Sequence, residues 1–151
     1  MHDQTHDPSA TQIVDAILEK SRVALATRDL DLFAQCFVMP HQIETFEGSR
    51  TIETAEQLRA TFHNVQKYFD TSAVTQLDRV CVAAEFKDPT TVEATYETRM
   101  VSGQQFLERP YPVFVTLRKG PQGWRIVSQV CAIVGAPGLC HALLADLEST
   151  A

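Results

Sequence analysis

The sequence predicts an α+β domain: a strongly curved antiparallel sheet wrapped around three N-terminal helices, closed by a short C-terminal helix. Three observations carry this. Two capping boxes, Ser9–Gln12 and Thr54–Gln57, each open an amphipathic helical stretch. Residues 91–134 alternate with period two, as three long strands at 91–101, 104–119 and 123–134. Short Gly- and Pro-bearing connections join those strands, so neighbours pair antiparallel.

The elements follow in order. Ser9 caps a helix running to about Thr27, with Val14, Ile17, Leu18, Ser21, Ala24 and Leu25 on one stripe. Ser21 is the hydroxyl of that stripe. It either bonds a carbonyl one turn back or reaches a ligand. Asp29 caps a second, short helix carrying Leu30, Phe33 and Phe37, and Pro40 stops it. Residues 41–46 alternate as a short strand, with His41, Ile43 and Thr45 on one face, and 47–49 form a turn. Thr54 then starts the third helix, with Leu58, Phe62, Val65 and Phe69 in line. Residues 74–86 read as a strand, and 87–89 as a turn.

In the first long strand Val92, Ala94, Tyr96, Thr98 and Met100 face one way, while Glu93, Thr95, Glu97, Arg99 and Val101 face the other. Ser102-Gly103 is a hairpin turn. Pro110 and Pro112 interrupt the second strand, which predicts a bulge or an edge there. On the last strand Trp124, Ile126, Ser128 and Val130 alternate with Arg125, Val127, Gln129 and Cys131. Pro137 suits the first turn of the closing helix. A chain of 151 residues predicts one domain: a flexible start at 1–10, the domain proper at 11–134, and its closing helix and tail at 135–151.

Composition narrows the function. A net charge of −6 with scattered basic residues argues against nucleic acid. No apolar run is long enough to span a bilayer and no secretory signal opens the chain, so a cytoplasmic protein is expected. Cys36, Cys81, Cys131 and Cys140 lack metal-site spacing and read as reduced thiols. Neither a metal nor a cofactor is expected. Val113-Phe114-Val115 and Ile126-Val127 are apolar on both faces of the sheet, which predicts a homodimer packed through the convex face.

The order of elements, with Arg28–Phe33, Cys36–His41 and Gly123–Val127, resembles the nuclear-transport-factor-2-like (NTF2-like) superfamily over roughly residues 11–134. This includes the SnoaL-like cyclases and the ketosteroid isomerases. The resemblance implies a cone-shaped α+β fold with a pocket between the concave sheet face and the helices. It also locates the isomerase groups: the phenol falls near Ser21, the base near Thr45 and the second carboxylate near Phe114 or Val115. None of those three groups is present, which removes that chemistry.

The acid–base candidates left are His41 and Tyr96. The ligand-binding candidates are Ser21, Thr45, Thr98, Arg109, Tyr111, Trp124 and Ser128. Arg109 and Tyr111 are aimed by the prolines at the pocket mouth or at a partner chain. A small apolar or carboxylate-bearing molecule is the expected ligand. Two main functions follow: a non-catalytic ligand-binding homodimer, or a SnoaL-like isomerase, cyclase or dehydratase using His41 and Tyr96. A protein adaptor would need an exposed apolar patch beyond the dimer face.

Overall fold

The computed structural model describes residues 7–106, 109–134 and 136–144. Most of the flexible start expected at 1–10, and the tail beyond 144, lie outside the described residues. Helix α1 (Ala10–Thr27) begins in the predicted capping box. Ser9 Oγ accepts from the Gln12 amide at 3.1 Å, and Gln12 Oε1 accepts from the Ser9 amide at 2.8 Å. Arg28 ends the helix in the left-handed region at φ 56°. Asp29 caps the short α2 (Leu30–Ala34). Thr54 caps α3 (Ala55–Thr71) through the second box.

The sheet is α+β in its cover, as predicted, but mixed rather than purely antiparallel. Its strands are β1 (Phe37–Thr45), β2 (Gly48–Ile52), β3 (Gln76–Asp88), β4 (Thr91–Ser102), β5 (Gln105–Phe106), β6 (Tyr111–Gly120) and β7 (Gly123–Cys131). They lie in the order β2-β1-β7-β6-β4-β3, with β5 added to β4. The pair β1·β7 is parallel. The long stretch of chain between these two strands, with α3 in it, allows such a crossover, which local patterning cannot reveal.

Three further differences have local causes. The chain enters β1 at Phe37, upstream of Pro40, so proline sits inside the strand instead of ahead of it. Proline has no N–H, and the ladder to β7 skips from Phe37 to Gln42 across it. The turn predicted at 47–49 is tighter than expected, and β2 returns against β1 in register His41↔Ile52 to Thr45↔Gly48. The inward residue Arg50 had hidden that alternation. Its guanidinium bonds Thr61 Oγ1 at 2.6 Å, which lets a buried cation occupy a core position. Finally, the single strand expected at 104–119 is two, β5 and β6, separated around Pro110.

Helix α1 lies across β3, β4 and β7, while α4 (Pro137–Leu144) packs on α3, β1 and β2. The core between sheet and helices is built from Val14, Ile17, Phe33, Phe62, Val92 and Leu117, all buried. Cys36, Cys131 and Cys140 are buried, Cys81 is half-buried, and all four are free thiols. Burial drives the Cys36 thiol up to about 11.

A candidate binding cavity in the cup

A cavity of about 100 Å³ lies between the concave face and the helices. Sheet register builds its polar side. Arg79 on β3 is opposite Thr98 on β4, and Thr98 is opposite Tyr111 on β6. Directly opposed side chains stand about 4.5–5.5 Å apart at Cβ, so guanidinium, hydroxyl and phenol form one row. Tyr96 stands in the next row, between Cys81 and Val113. The remaining wall is mostly apolar, with Phe33, Leu58, Val65, Phe69 and Met100, and is broken by Ser21, His41, Thr61 and Gln129. Leu139 and Leu143 of α4 close it.

Arg79 is the only permanently charged side chain on this wall among the described residues. Its Nη2 donates to Ser21 Oγ at 2.7 Å and to the Leu18 carbonyl at 3.0 Å, tying β3 to α1. Ser21 Oγ itself donates to the Leu18 carbonyl at 3.1 Å. The Tyr96 phenol lies beside Arg79. Burial pushes it up to about 12, only partly opposed by the guanidinium. Burial pushes Tyr111 up further still. Both phenols therefore stay protonated at neutral pH and act as donors. The Tyr111 phenol lies beside Thr98, yet no well-directed hydrogen bond reaches Thr98 Oγ1. A buried hydroxyl without a partner is unusual and costly.

His41 is 1% exposed and packs its ring edge against Phe37. Its Nδ1 lies 3.1 Å from the Val127 carbonyl, which only accepts, so Nδ1 carries the proton. Burial pulls the imidazole down to about 4, against raising contributions from Gln129 and backbone carbonyls. The ring is therefore neutral at pH 7, with a lone pair on Nε2. Gln129 faces that atom at 3.2 Å and reaches Cys131 Sγ at 3.5 Å with its other end. The two ends of an amide are interchangeable in such a site. One orientation satisfies every group: Gln129 Nε2 donates to His41, and the Cys131 thiol donates to Gln129 Oε1. His41 is thus bonded at both nitrogens.

Of the residues singled out from sequence, His41, Tyr96, Ser21, Thr98 and Tyr111 line this one cavity. The other four do not. Thr45 is buried, but its Oγ1 caps the Glu47 amide at 3.0 Å beyond the cavity wall. Arg109 is exposed and does not line the cavity. Trp124 stands at the far end of β7 against Phe86. Ser128 is on the convex face, and its reversal has a clear cause. The β6·β7 register shifts between Leu117↔Ile126 and Thr116↔Ser128, leaving Val127 as an extra residue. A bulge flips the alternation after it. Gln129 and Cys131 consequently point inward, and Ser128 and Val130 outward.

Sequence reasoning missed Arg79 and Gln129. Arg79 shares the alternation of Cys81, and so was accessible in principle. The more apolar face of that strand, Val80 and Val82, turned out to be the exposed one. Gln129 depended on the bulge, for which the residues give no local sign.

No protein-family model and no curated protein matches the chain. Solved structures do. A cystatin-like-fold protein of unknown function from Nostoc punctiforme superposes with TM-score 0.64 at 21% identity, over 80% of this chain and 75% of that one. An NTF2-like protein of unknown function from Shewanella oneidensis gives 0.65 at 11% identity, over 81% and 98%. A candidate dehydratase from the NTF2-like family of Streptomyces avermitilis gives 0.61 at 12%, over 82% and 95%. The likeness is one of fold: this chain has the NTF2-like, cystatin-like architecture. No described helix is long and apolar enough to cross a membrane.

Proposed function

We propose that the chain binds a small, mostly apolar molecule in the cup and that the binding itself, rather than proton transfer, is its function. The observation that supports this most is the makeup of the wall: apolar side chains broken by a few placed donors, one of them the unpartnered Thr98 hydroxyl. The cavity sets the size of the ligand. Roughly 150 Å³ of apolar cavity accepts a benzene molecule, so about 100 Å³ takes a molecule of that order or smaller.

The alternative reading, an isomerase, cyclase or dehydratase, has one observation in its favour: His41 and Tyr96 line the same cavity. Against it stands their ionisation. A general acid or base works best with its pKa near the working pH. His41 is drawn down to about 4 and Tyr96 pushed up to about 12, in opposite directions away from neutrality. His41 is also occupied at both nitrogens.

In the same reading the protein is a homodimer through the convex sheet face. Phe114 and Val130 support this. They are adjacent there and are 48% and 38% exposed. The cavity is tested by titrating benzene into 15N-labelled protein. Saturable amide shifts are expected at Tyr96, Thr98, Gln129 and Leu139, and Val113→Phe, which fills the cup, should abolish them. Shifts confined to the convex face would overturn the cavity reading.

A further inference from the structure

We infer that the cavity selects a short monocarboxylic acid with a branched apolar tail, its carboxylate held by Arg79 and Thr98. This rests on the reading of the cup as a ligand site and names the ligand's chemistry.

The argument begins with charge. The wall holds one guanidinium and, among the described residues, no carboxylate. Among the described residues the acceptors at Arg79 are neutral: Ser21 Oγ and the Leu18 carbonyl, with the Tyr96 phenol beside them. Glu19 on α1 is held at two points by Arg22 on the solvent side, at 2.7 and 2.9 Å, and Arg79 adds a smaller attraction. A half-buried cation facing an apolar cavity is stabilised by an anion that brings its own countercharge, and the planar fork of arginine matches a carboxylate.

Hydrogen-bonding capacity points the same way. The groups beside Arg79 are the Tyr96 and Tyr111 phenols, both kept protonated, and the Thr98 hydroxyl. Thr98 Oγ1 is buried without a partner. All can donate, so an acceptor brought by the ligand satisfies them together. A carboxylate has four lone-pair sites, enough for Arg79 and Thr98 together. An amine would meet a like charge and is excluded by the same wall.

The helical side fixes the tail. Phe33 on α2 and Leu58, Val65 and Phe69 on α3 line it with apolar side chains. The volume of about 100 Å³ holds a branched chain of a few carbons and not a fatty acyl chain.

The test compares isovalerate with its neutral, near-isosteric amide, isovaleramide. Both are titrated into 15N-labelled protein near neutral pH, following amide shifts and the Arg79 Nε–Hε resonance. Isovalerate should bind roughly tenfold or more tightly than the amide, the scale of one charge-assisted pair, and should move the Arg79 resonance. Arg79→Gln should remove the preference, and Arg79→Lys should keep part of it. The wild-type comparison needs no variant, so a misfolded Arg79→Gln leaves the result decisive. If the amide binds as tightly as the acid, or if benzene binds and isovalerate does not, the carboxylate anchor is wrong and the apolar cup stands. If neither benzene nor either probe binds, the cavity reading fails and takes this inference with it.

Discussion

His41 is the residue whose chemistry the fold changes most. Its folded form is neutral, with a pKa near 4, against an ordinary value of 6.5. The sign of the consequence follows from proton counting. Above pH 6.5 neither folded nor unfolded chain is protonated there, and the residue adds no pH dependence. As pH falls towards 4 the unfolded chain takes up a proton that the folded chain refuses, so stability drops. The loss from this one group reaches about 3 kcal/mol by the lower end. Urea denaturation at pH 7 and pH 4.5 should show a larger drop for the wild type than for His41→Gln. Equal drops would mean that His41 is not a buried neutral ring. Thr98 makes the opposite case. Its unpartnered hydroxyl costs stability, so Thr98→Val should raise the unfolding free energy by about 1 kcal/mol while weakening isovalerate binding. An unchanged or lowered urea midpoint would place a partner on that hydroxyl.

At the scale of elements, legibility tracked the range of the interactions. Both capping boxes were readable because their partners lie three residues apart, and both form. They carry a measurable share of stability: Ser9→Ala and Thr54→Ala should each cost about 1 kcal/mol in urea titrations, with the Gly substitutions costing less. The inward face of β4 was readable too, because Tyr96, Thr98 and Met100 keep strict alternation with no bulge between them. What failed depended on distant partners. The extra residue Val127 exists only as a mismatch between β6 and β7, and it moved one side of the cavity from Ser128 to Gln129. β2 was missed because a cation at an inward position breaks the apolar alternation, and its pairing with Thr61 on α3 is a tertiary contact that the strand alone does not show. Arg79 follows the alternation of Cys81, but the partners that satisfy an inward guanidinium there, Ser21 and Leu18, are on α1, some sixty positions away in the chain. The cup was therefore legible as a shape, while two of the polar groups that give it chemistry were fixed by tertiary contacts.

For the whole molecule the decisive surface is the convex face of the sheet, which no described helix covers. Phe114 sits between the buried Val113 and Val115 and so points away from the cup, where Val130 is its cross-strand neighbour. Val80 and Val82 on the edge strand β3 are also exposed, at 52% and 67%. Around them lie Thr95, Thr116 and Ser128, short and polar, with the Arg99–Glu97 pair at 2.7 Å towards the end of β4. An apolar centre with a polar rim is the anatomy of a protein interface, and a second copy supplies a matching surface through a two-fold axis. A charge at the centre of such a patch faces its own symmetry mate, so one substitution introduces two like charges in a desolvated place. Phe114→Glu should therefore dissociate the proposed dimer without disturbing the cup, since the residue faces away from it. Light scattering should give twice the chain mass of 16.8 kDa for the wild type and the single mass for the variant, with unchanged helix content. Isovalerate binding should survive in the variant, because every residue of the Arg79–Thr98–Tyr111 row belongs to one chain. A wild-type mass of 16.8 kDa at micromolar concentration would leave the convex face solvated and rule out the dimer.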